Sequence, residues 1–527
     1  MLNSRSCLTQ LTLLVAVLLQ FLPTHAQART PEQQATASME QARAAGPLAL
    51  HVFLAGMPKG GDLHNHLAGA VYAESWLRDA AADHVCIDPQ ALDFAHRGIP
   101  LATEPCSAGT VAASTLQQNQ PLYDKLIDAF SMRTFVPLTG ESGHDHFFAS
   151  FDHFIGLSES HKPEWVDEIA ARAAAQNEQY LELMDTPDAA FSVIAKAKPV
   201  PPGTGYAAWR QQLLDAGLSQ QALAVRNQMD HFEQTRRQQE RCETAQPASA
   251  CTVEVRYLYQ VLRNMPPPAV FAQIVLGFEV AAADLASPNP HYVGLNLVQP
   301  EDAEYSISDY TLHMQMIAAL RPLYPHVPVT LHAGELAPGL VPPEGLRFHI
   351  RQAMEIAGAQ RIGHGVDVMY EDQPSDLLKT MAEHHILVEI NLTSNDVILG
   401  IKGKDHPLPL YRKYDVPVAL STDDEGVSRI DLTHEYLVAA ETFGLTYPDL
   451  KEMARNSIEY SFLPGDSLWR DHDYRHPQLV CASGLTSGGE PDVTCGAVLA
   501  ASPKARQQWQ LEQRFHRFER AQQPDLH

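Results

Sequence analysis

The sequence predicts an α/β chain folded as a (β/α)8 barrel, with helical, disulfide-bearing insertions after strands 1 and 2. Two observations predict it. Eight short apolar segments recur along the chain, each bounded by turn or motif residues, and the last four start roughly 30 residues apart. Between those four lie helical patterns such as DYTLHMQMIAALRPL and GLRFHIRQAMEIAG, and strands alternating with helices at this spacing form parallel sheets with helical crossovers. A doubly wound sheet is the alternative, and it needs the strand order to reverse midway.

The chain opens with MLNSRSCLTQLTLLVAVLLQFLPTHAQA: one arginine, an apolar stretch from about Leu11 to Leu22, then the small-residue pattern Ala26-Gln27-Ala28. Residues 1–28 read as a secretory signal peptide, too short for a membrane span and cut after Ala26 or Ala28. The protein is therefore expected to be exported, periplasmic or secreted. Cys7 precedes the apolar stretch, which argues against a lipid anchor. Residues 29–56 are rich in Ala and Gln and read as a helical arm. Barrel strands follow at 61–66 (GDLHNH), 179–184 (QYLELM), 253–259 (VEVRYLY), 291–298 (HYVGLNLV), 327–332 (VPVTLH), 359–364 (AQRIGH), 386–392 (ILVEINL) and 416–422 (VPVALST), within a barrel domain over 57–465. The first two crossovers run to about 110 and 70 residues, so a helical lobe sits there, with an insertion at about 84–107. Residues 466–527 form a C-terminal extension with a closing helix near 503–521. No run of 18 apolar residues follows the leader.

A formal net charge of −25, from 38 basic and 63 acidic residues, repels phosphate backbones and anionic lipid. Nucleic acid and membranes are thus excluded as partners in favour of an uncharged or cationic small molecule. Beyond Cys7 six cysteines remain, an even number in an exported chain. Their spacing favours the local pairing 86–106, 242–251 and 481–495; without a Cys-x-x-Cys, a zinc-thiolate site is disfavoured.

Active groups of such a barrel sit at the C-terminal ends of its strands. His64 and His66 close strand one, and the strand period of two turns both to one face. His332 closes strand five in VTLHAGE, with Glu335 three residues on; His364 closes strand six in RIGHG; Asp423 and Asp424 close strand eight in STDDEG. Imidazoles and a carboxylate suit zinc, and three or four such ligands with an open position make a hydrolytic centre. Zinc lowers the pKa of bound water from about 15.7 to roughly 7; His364 and Glu335 stand near enough to orient that water and to deliver a proton. His144 and His146 precede FFASFDHF and read as lobe packing or contacts at the substrate mouth. The sequon Asn391-Leu-Thr ends a barrel strand and reads as coincidental.

MPKGGDLHNHLAG, LHAGE, RIGHG and STDDEG, in this order over residues 57–465, resemble the motifs of the adenosine deaminase family, zinc-dependent (β/α)8 hydrolases of the amidohydrolase superfamily. With its leader, arm and cysteine-bearing insertion, the chain is similar to the secreted adenosine deaminase growth factor branch, and that resemblance implies a homodimer. Carried over by position, it makes His64, His66, His332 and Asp423 the ligands of one zinc ion per subunit. Glu335 is implied to protonate purine N1 as hydroxide attacks C6, His364 to orient the attacking water together with Asp423, and Asp424 to hydrogen-bond N7. The implied reaction converts adenosine, and 2'-deoxyadenosine, to inosine and ammonia. Two positions depart from the pattern. Ala68 stands where many members carry a ribose-contacting Asp, and Gln299 stands where a glycine usually ends strand four. Both bear on the sugar and on the alternatives, an adenine, modified adenosine or AMP deaminase. A binding or signalling protein without turnover would be marked by loss of Glu335 or a ligand, and all are present. The His-x-Glu and Pro-Cys-x-x-Cys signature of base-flipping deaminases is missing. HYVGLNLVQPED also lacks the strand-four lysine that bridges two metals in binuclear relatives.

Overall fold

The computed structural model describes residues 29–96, 101–137 and 140–523. The leader segment 1–28 lies outside the described residues. Eight strands appear where the apolar segments place them: β1 (Gly60–His66), β2 (Glu178–Asp185), β3 (Glu254–Leu262), β4 (Tyr292–Val298), β5 (Thr330–Ala333), β6 (Arg361–His364), β7 (Leu387–Ile390) and β8 (Val418–Leu420). All pairings are parallel, in the order β1-β2-β3-β4 and β5-β6-β7-β8. Two bridges join these halves: Leu295 with Val329 between β4 and the approach to β5, and Asn65 with Asp423 between β1 and the end of β8. The order never reverses, so the sheet is a closed cylinder and the doubly wound alternative fails. Apolar runs such as VGLNLV form strands because helices cover the outer face while side chains fill the inside, leaving no face for a polar alternation.

The arm is two helices, α1 (Pro31–Ala45) and α2 (Pro47–Gly56). The Thr30 hydroxyl and Gln33 side chain form a capping box at the start of α1. Gly46, at φ 110°, makes the turn to α2 in a conformation that favours glycine. Lys451 Nζ holds Glu32 of α1 at 2.8 Å, tying the arm to the barrel's own helices.

Within the first crossover, three short antiparallel strands (86–88, 93–94 and 111–112) carry the Cys86–Cys106 disulfide, followed by helices that include α3 (Gly143–Phe154). The second crossover is helical and ends in the loop closed by Cys242–Cys251, and Cys481–Cys495 staples the C-terminal extension. All three local pairings therefore form, with Cα–Cα separations of 5.6, 5.5 and 4.9 Å.

Helix α4 (Pro267–Leu285), between β3 and β4, is long and apolar enough to cross a membrane by length and composition. Gln273, Glu279 and Asp284 interrupt its apolar sequence, which is why no continuous run was visible. Val270, Phe271, Ile274, Val275 and Phe278 are all fully buried, so α4 is a core helix packed on its barrel strands. Of the remaining helices, α5 (Leu392–Leu399) follows β7, α6 (Leu432–Phe443) and α7 (Tyr447–Glu459) follow β8, and α8 (Pro503–Ala521) is the last helix among the described residues. Arg455 of α7 forks onto the Glu512 carboxylate of α8 with two contacts of 2.7 Å.

Candidate active site

Three strand ends bring four ligand atoms to one point. His64 Nε2 lies 3.1 Å from His332 Nε2, and His66 Nε2 lies 3.2 Å from the same atom. Asp423 Oδ1 stands 3.3 Å from His64 Nε2 and 3.2 Å from His66 Nε2. A tetrahedron with metal–ligand distances of about 2.0–2.1 Å has edges of about 3.3–3.4 Å, so this spacing is what one ion requires.

The outer partners fix the imidazole tautomers. His64 Nδ1 faces Glu389 Oε2 at 2.7 Å, His66 Nδ1 faces Gln260 Oε1 at 2.8 Å, and His332 Nδ1 faces Asn296 Oδ1 at 3.0 Å. The Asn296 oxygen also accepts the backbone N–H of His332, which identifies it as oxygen. Each Nδ1 thus donates, and three Nε2 lone pairs meet at the centre, an arrangement that repels itself until a cation occupies it. Burial opposes charging His64, yet the Asp423 and Glu389 carboxylates raise it to about 10, while burial and the neighbouring imidazoles hold His332 well below its ordinary range. Three imidazoles and a carboxylate fit a divalent metal ion.

Glu335 and His364 stand beside this centre, with His364 Nε2 3.6 Å from Glu335 Oε1 and 3.8 Å from Asp423 Oδ2. Burial, then the Asp423 and Glu301 carboxylates, push the Glu335 carboxyl well above the usual range, which favours its protonated form. Burial lowers His364 to about 3 against the pull of Asp423, so its ring is neutral. Asp424 is buried and pushed up to about 8 by that burial and by Asp423. Its Oδ1 has no partner among the described residues, and it presses so closely on Gly69 that an added Cβ would stand 1.6 Å away. Gly363 is required in the same way, because a Cβ there would meet the His64 ring at 2.6 Å.

All seven sequence-predicted residues therefore surround one point. His144 Nε2 pairs with Asp302 at 3.0 Å, joining the lobe to the loop after β4, whereas His146 stacks on Phe135 and bonds the carbonyls of Asp128 and Ser131 within the lobe. Ala68 is exposed, one residue after the β1 end turns into a short helix. Gln299 takes the left-handed φ of 86° that a glycine would adopt freely; its side-chain oxygen accepts the Asn264 N–H and its carbonyl accepts Arg263 Nε. His364 (φ 68°) and Asp423 (φ 62°) share that uncommon conformation, so three strand ends bend sharply at the site.

Several functional side chains escaped the motif reading. Gln260, Asn296 and Glu389 point into the barrel and serve the imidazoles; Ser394 donates to Asp423 Oδ2 at 2.7 Å. Arg263, fully buried, donates to the His332 carbonyl at 3.1 Å, and Glu301, equally buried, accepts from Gly334 and Glu335. The available signal was a polar residue inside an apolar strand, as in GLNLV and ILVEINL.

Comparison with known proteins follows the same lines. The sequence profile of the family described as adenosine deaminase matches residues 135–470, more than half of the chain. The match starts beyond His64 and His66, which the first crossover separates from it. Adenosine deaminase of Clostridium perfringens is 37% identical over 135 residues, covering 25% of this chain and 37% of that protein. Adenosine deaminase of Yersinia pseudotuberculosis is 38% identical over 136 residues, 26% of this chain and 37% of that protein. The matched stretch thus spans 37% of the length of these curated relatives. Among solved structures, the adenine deaminase of Arthrobacter aurescens superposes with a TM-score of 0.50 at 18% identity, covering 77% of this chain and 94% of its own. An amidohydrolase from Burkholderia ambifaria, solved with bound zinc, gives 0.50 at 17% identity over 94% of this chain and 97% of its own. At these identities the two structures share the fold.

Proposed function

The chain belongs to the adenosine deaminase family of the amidohydrolase superfamily, and from that premise we propose that it is a zinc-dependent hydrolase converting adenosine, and 2'-deoxyadenosine, to the inosine product and ammonia. The observation that carries this reading is the convergence of three imidazoles and Asp423 beside the buried Glu335, whose carboxyl is pushed well above the usual range. His64, His66, His332 and Asp423 would hold the ion, which when bound supplies the Lewis acidity that brings the pKa of water from about 15.7 to about 7. Glu335, whose protonated form burial favours, delivers its proton to purine N1 as the oxygen attacks C6, so negative charge does not build on the ring. His364 and Asp423 orient the attacking oxygen from the opposite side of that carboxyl. Asp424, protonated at neutral pH and without a partner for Oδ1 among the described residues, donates to N7. The remaining proton of the added hydroxyl then passes to the amino group by way of a carboxylate oxygen, C6=O forms and the C6–N bond breaks to release ammonia.

Ala68 and Gln299 favour a second reading within the same chemistry, an adenine-type substrate whose sugar is bound differently or is missing: adenine, a modified adenosine or AMP. The net charge of −25 disfavours AMP. Three disulfides and the leader-like N-terminus support an exported protein of the secreted branch, and the acidic surface supports a small-molecule partner over nucleic acid or membrane. The test is to follow ultraviolet absorbance of adenosine, deoxyadenosine and adenine with the purified protein, with and without a chelator. Chelator-sensitive turnover is expected; no turnover on any of the three removes the adenosine reading, and none on a modified adenosine or AMP as well removes the deaminase reading. A His332→Ala variant that keeps stoichiometric zinc removes the ligand set.

A further inference from the structure

Behind His364 runs a chain of hydrogen bonds whose direction is set by one unambiguous donor. The backbone N–H of Leu408 can only donate, and it points at His406 Nδ1 at 3.1 Å. His406 Nδ1 is therefore the acceptor. Burial holds this imidazole neutral, lowering it to about 4, so its single proton is on Nε2. His406 Nε2 lies 3.0 Å from the Asn395 side chain, whose facing atom must then be the oxygen. That leaves the Asn395 amide nitrogen 3.0 Å from His364 Nδ1, donating to it. Each step excludes the opposite assignment of the amide or the ring, so the direction does not depend on how either was oriented. Asn391 does not disturb it: its amide nitrogen lies 3.4 Å from both His364 nitrogens and prefers neither. Asn395 and His364 are fully buried and His406 nearly so, which keeps water from competing for these bonds.

We infer that His406 and Asn395 are positioning residues that lock His364 as its Nε2–H tautomer, so that His364 presents a donor, never a lone pair, to the attacking oxygen. The Nε2–H points between Glu335 Oε1 and Asp423 Oδ2, where a bare nitrogen would face two carboxyl oxygens. His364 then holds the attacking oxygen by donating to it, and the proton that oxygen loses goes to a carboxylate oxygen. This deepens the deaminase reading and rests on it for its consequence in turnover, though the tautomer itself does not.

Neutron diffraction from deuterium-exchanged, metal-loaded protein reads the tautomer directly. A deuteron on His364 Nε2 alone is expected; one on Nδ1, alone or with Nε2, overturns the inference. If the deuteron is on Nε2 and no adenine-type substrate turns over, the chain of bonds stands and the deaminase reading falls. Steady-state kinetics give the second readout. In Asn395→Asp the carboxylate accepts from both rings and forces His364 to carry its proton on Nδ1, so kcat falls a hundredfold or more while KM stays within threefold and one metal per chain is retained; a smaller fall in kcat overturns the inference. A wrong tautomer cost kcat about 10⁴-fold in a serine protease triad, which sets the scale. His406→Gln keeps a donor where Nε2 was, whereas His406→Asn keeps only the Nδ1 side. The Gln variant is expected to retain at least ten times the kcat of the Asn variant, and equal rates would show that His406 merely fills space.

Discussion

The carboxylate of Glu301 accepts the backbone N–H of Glu335 at 2.7 Å, and its other oxygen accepts Gly334 N–H at 3.1 Å and His349 Nδ1 at 2.5 Å. A residue from the loop after β4 thus holds the loop after β5, and the backbone of Glu335 is pinned by its neighbour's side chain. Glu301→Gln keeps one acceptor and turns an amide N–H₂ toward a group that also donates. The expected loss is about 1–3 kcal/mol of stability, with kcat lower by about tenfold to a hundredfold because Glu335 drifts from the purine. Urea unfolding and steady-state kinetics measure the two effects, and unchanged kcat would mean the loop holds itself.

Glu389 joins His64 to a buried cation: Oε2 faces His64 Nδ1 at 2.7 Å while Oε1 receives Arg361 Nε at 2.6 Å, and Arg361 also pairs with Glu182 at 2.7 Å. Glu389→Gln weakens both the orientation and the basicity of the His64 ligand. Metal affinity is expected to fall about 10–100-fold. Competition with a chromogenic chelator measures this, and an unaltered affinity would detach Glu389 from the centre.

Gly69 leaves the space that Asp424 occupies, and the 1.6 Å approach computed for an added Cβ means Gly69→Ala must displace the carboxyl. Gly69 is not among the residues that would hold the ion, so metal content should be unchanged. A displacement of about 1 Å near the purine costs on the order of a hundredfold in kcat/KM. Full activity in this variant would place the purine away from Asp424.

His313 and His406 are both buried and lowered to about 4, His406 by burial alone and His313 by burial assisted by the Arg263 charge. The unfolded chain binds these protons near pH 6.5 and the folded chain only near pH 4. Their stabilisation is therefore complete above pH 6.5 and is lost as pH falls through that window, at about 1.4 kcal/mol per pH unit for each histidine. Neither ring nitrogen of His313 has a partner among the described residues, so His313→Leu should flatten the acid limb by one proton without disturbing the site. Urea unfolding between pH 4.5 and 7 checks the slope; a slope matching the parent chain would mean His313 is protonated when folded.

Strand positions, their parallel order and the cysteine pairs were legible because each rests on a local pattern: apolar runs, strand–helix alternation and short cysteine spacings. The motif residues were legible because they end strands, where a barrel gathers its chemistry. What the pattern could not carry was the partner of each. Glu301, Asn395 and His406 look like ordinary loop and helix residues in VQPED, TSND and KDHPL, and only the closed cylinder brings them to Glu335 and His364. The bent backbone at Gln299, His364 and Asp423 was equally hidden, since none is the glycine that announces such a conformation. Helix α4 shows how close the two cases lie: burial on most sides gives a crossover helix the composition of a membrane span.

The bridge that closes β8 onto β1 is made by the ligand-bearing residues themselves, with His66 N–H donating to the Asp423 carbonyl at 3.0 Å and Asp423 N–H to the His64 carbonyl at 2.9 Å. Zipping the cylinder shut and assembling the ion's cage are consequently a single act, and a bound ion would be a rivet through the last seam. Stripped of it, the chain should leak solvent deuterium into those two amides well before the amides between β3 and β4, whose ladder no ligand interrupts.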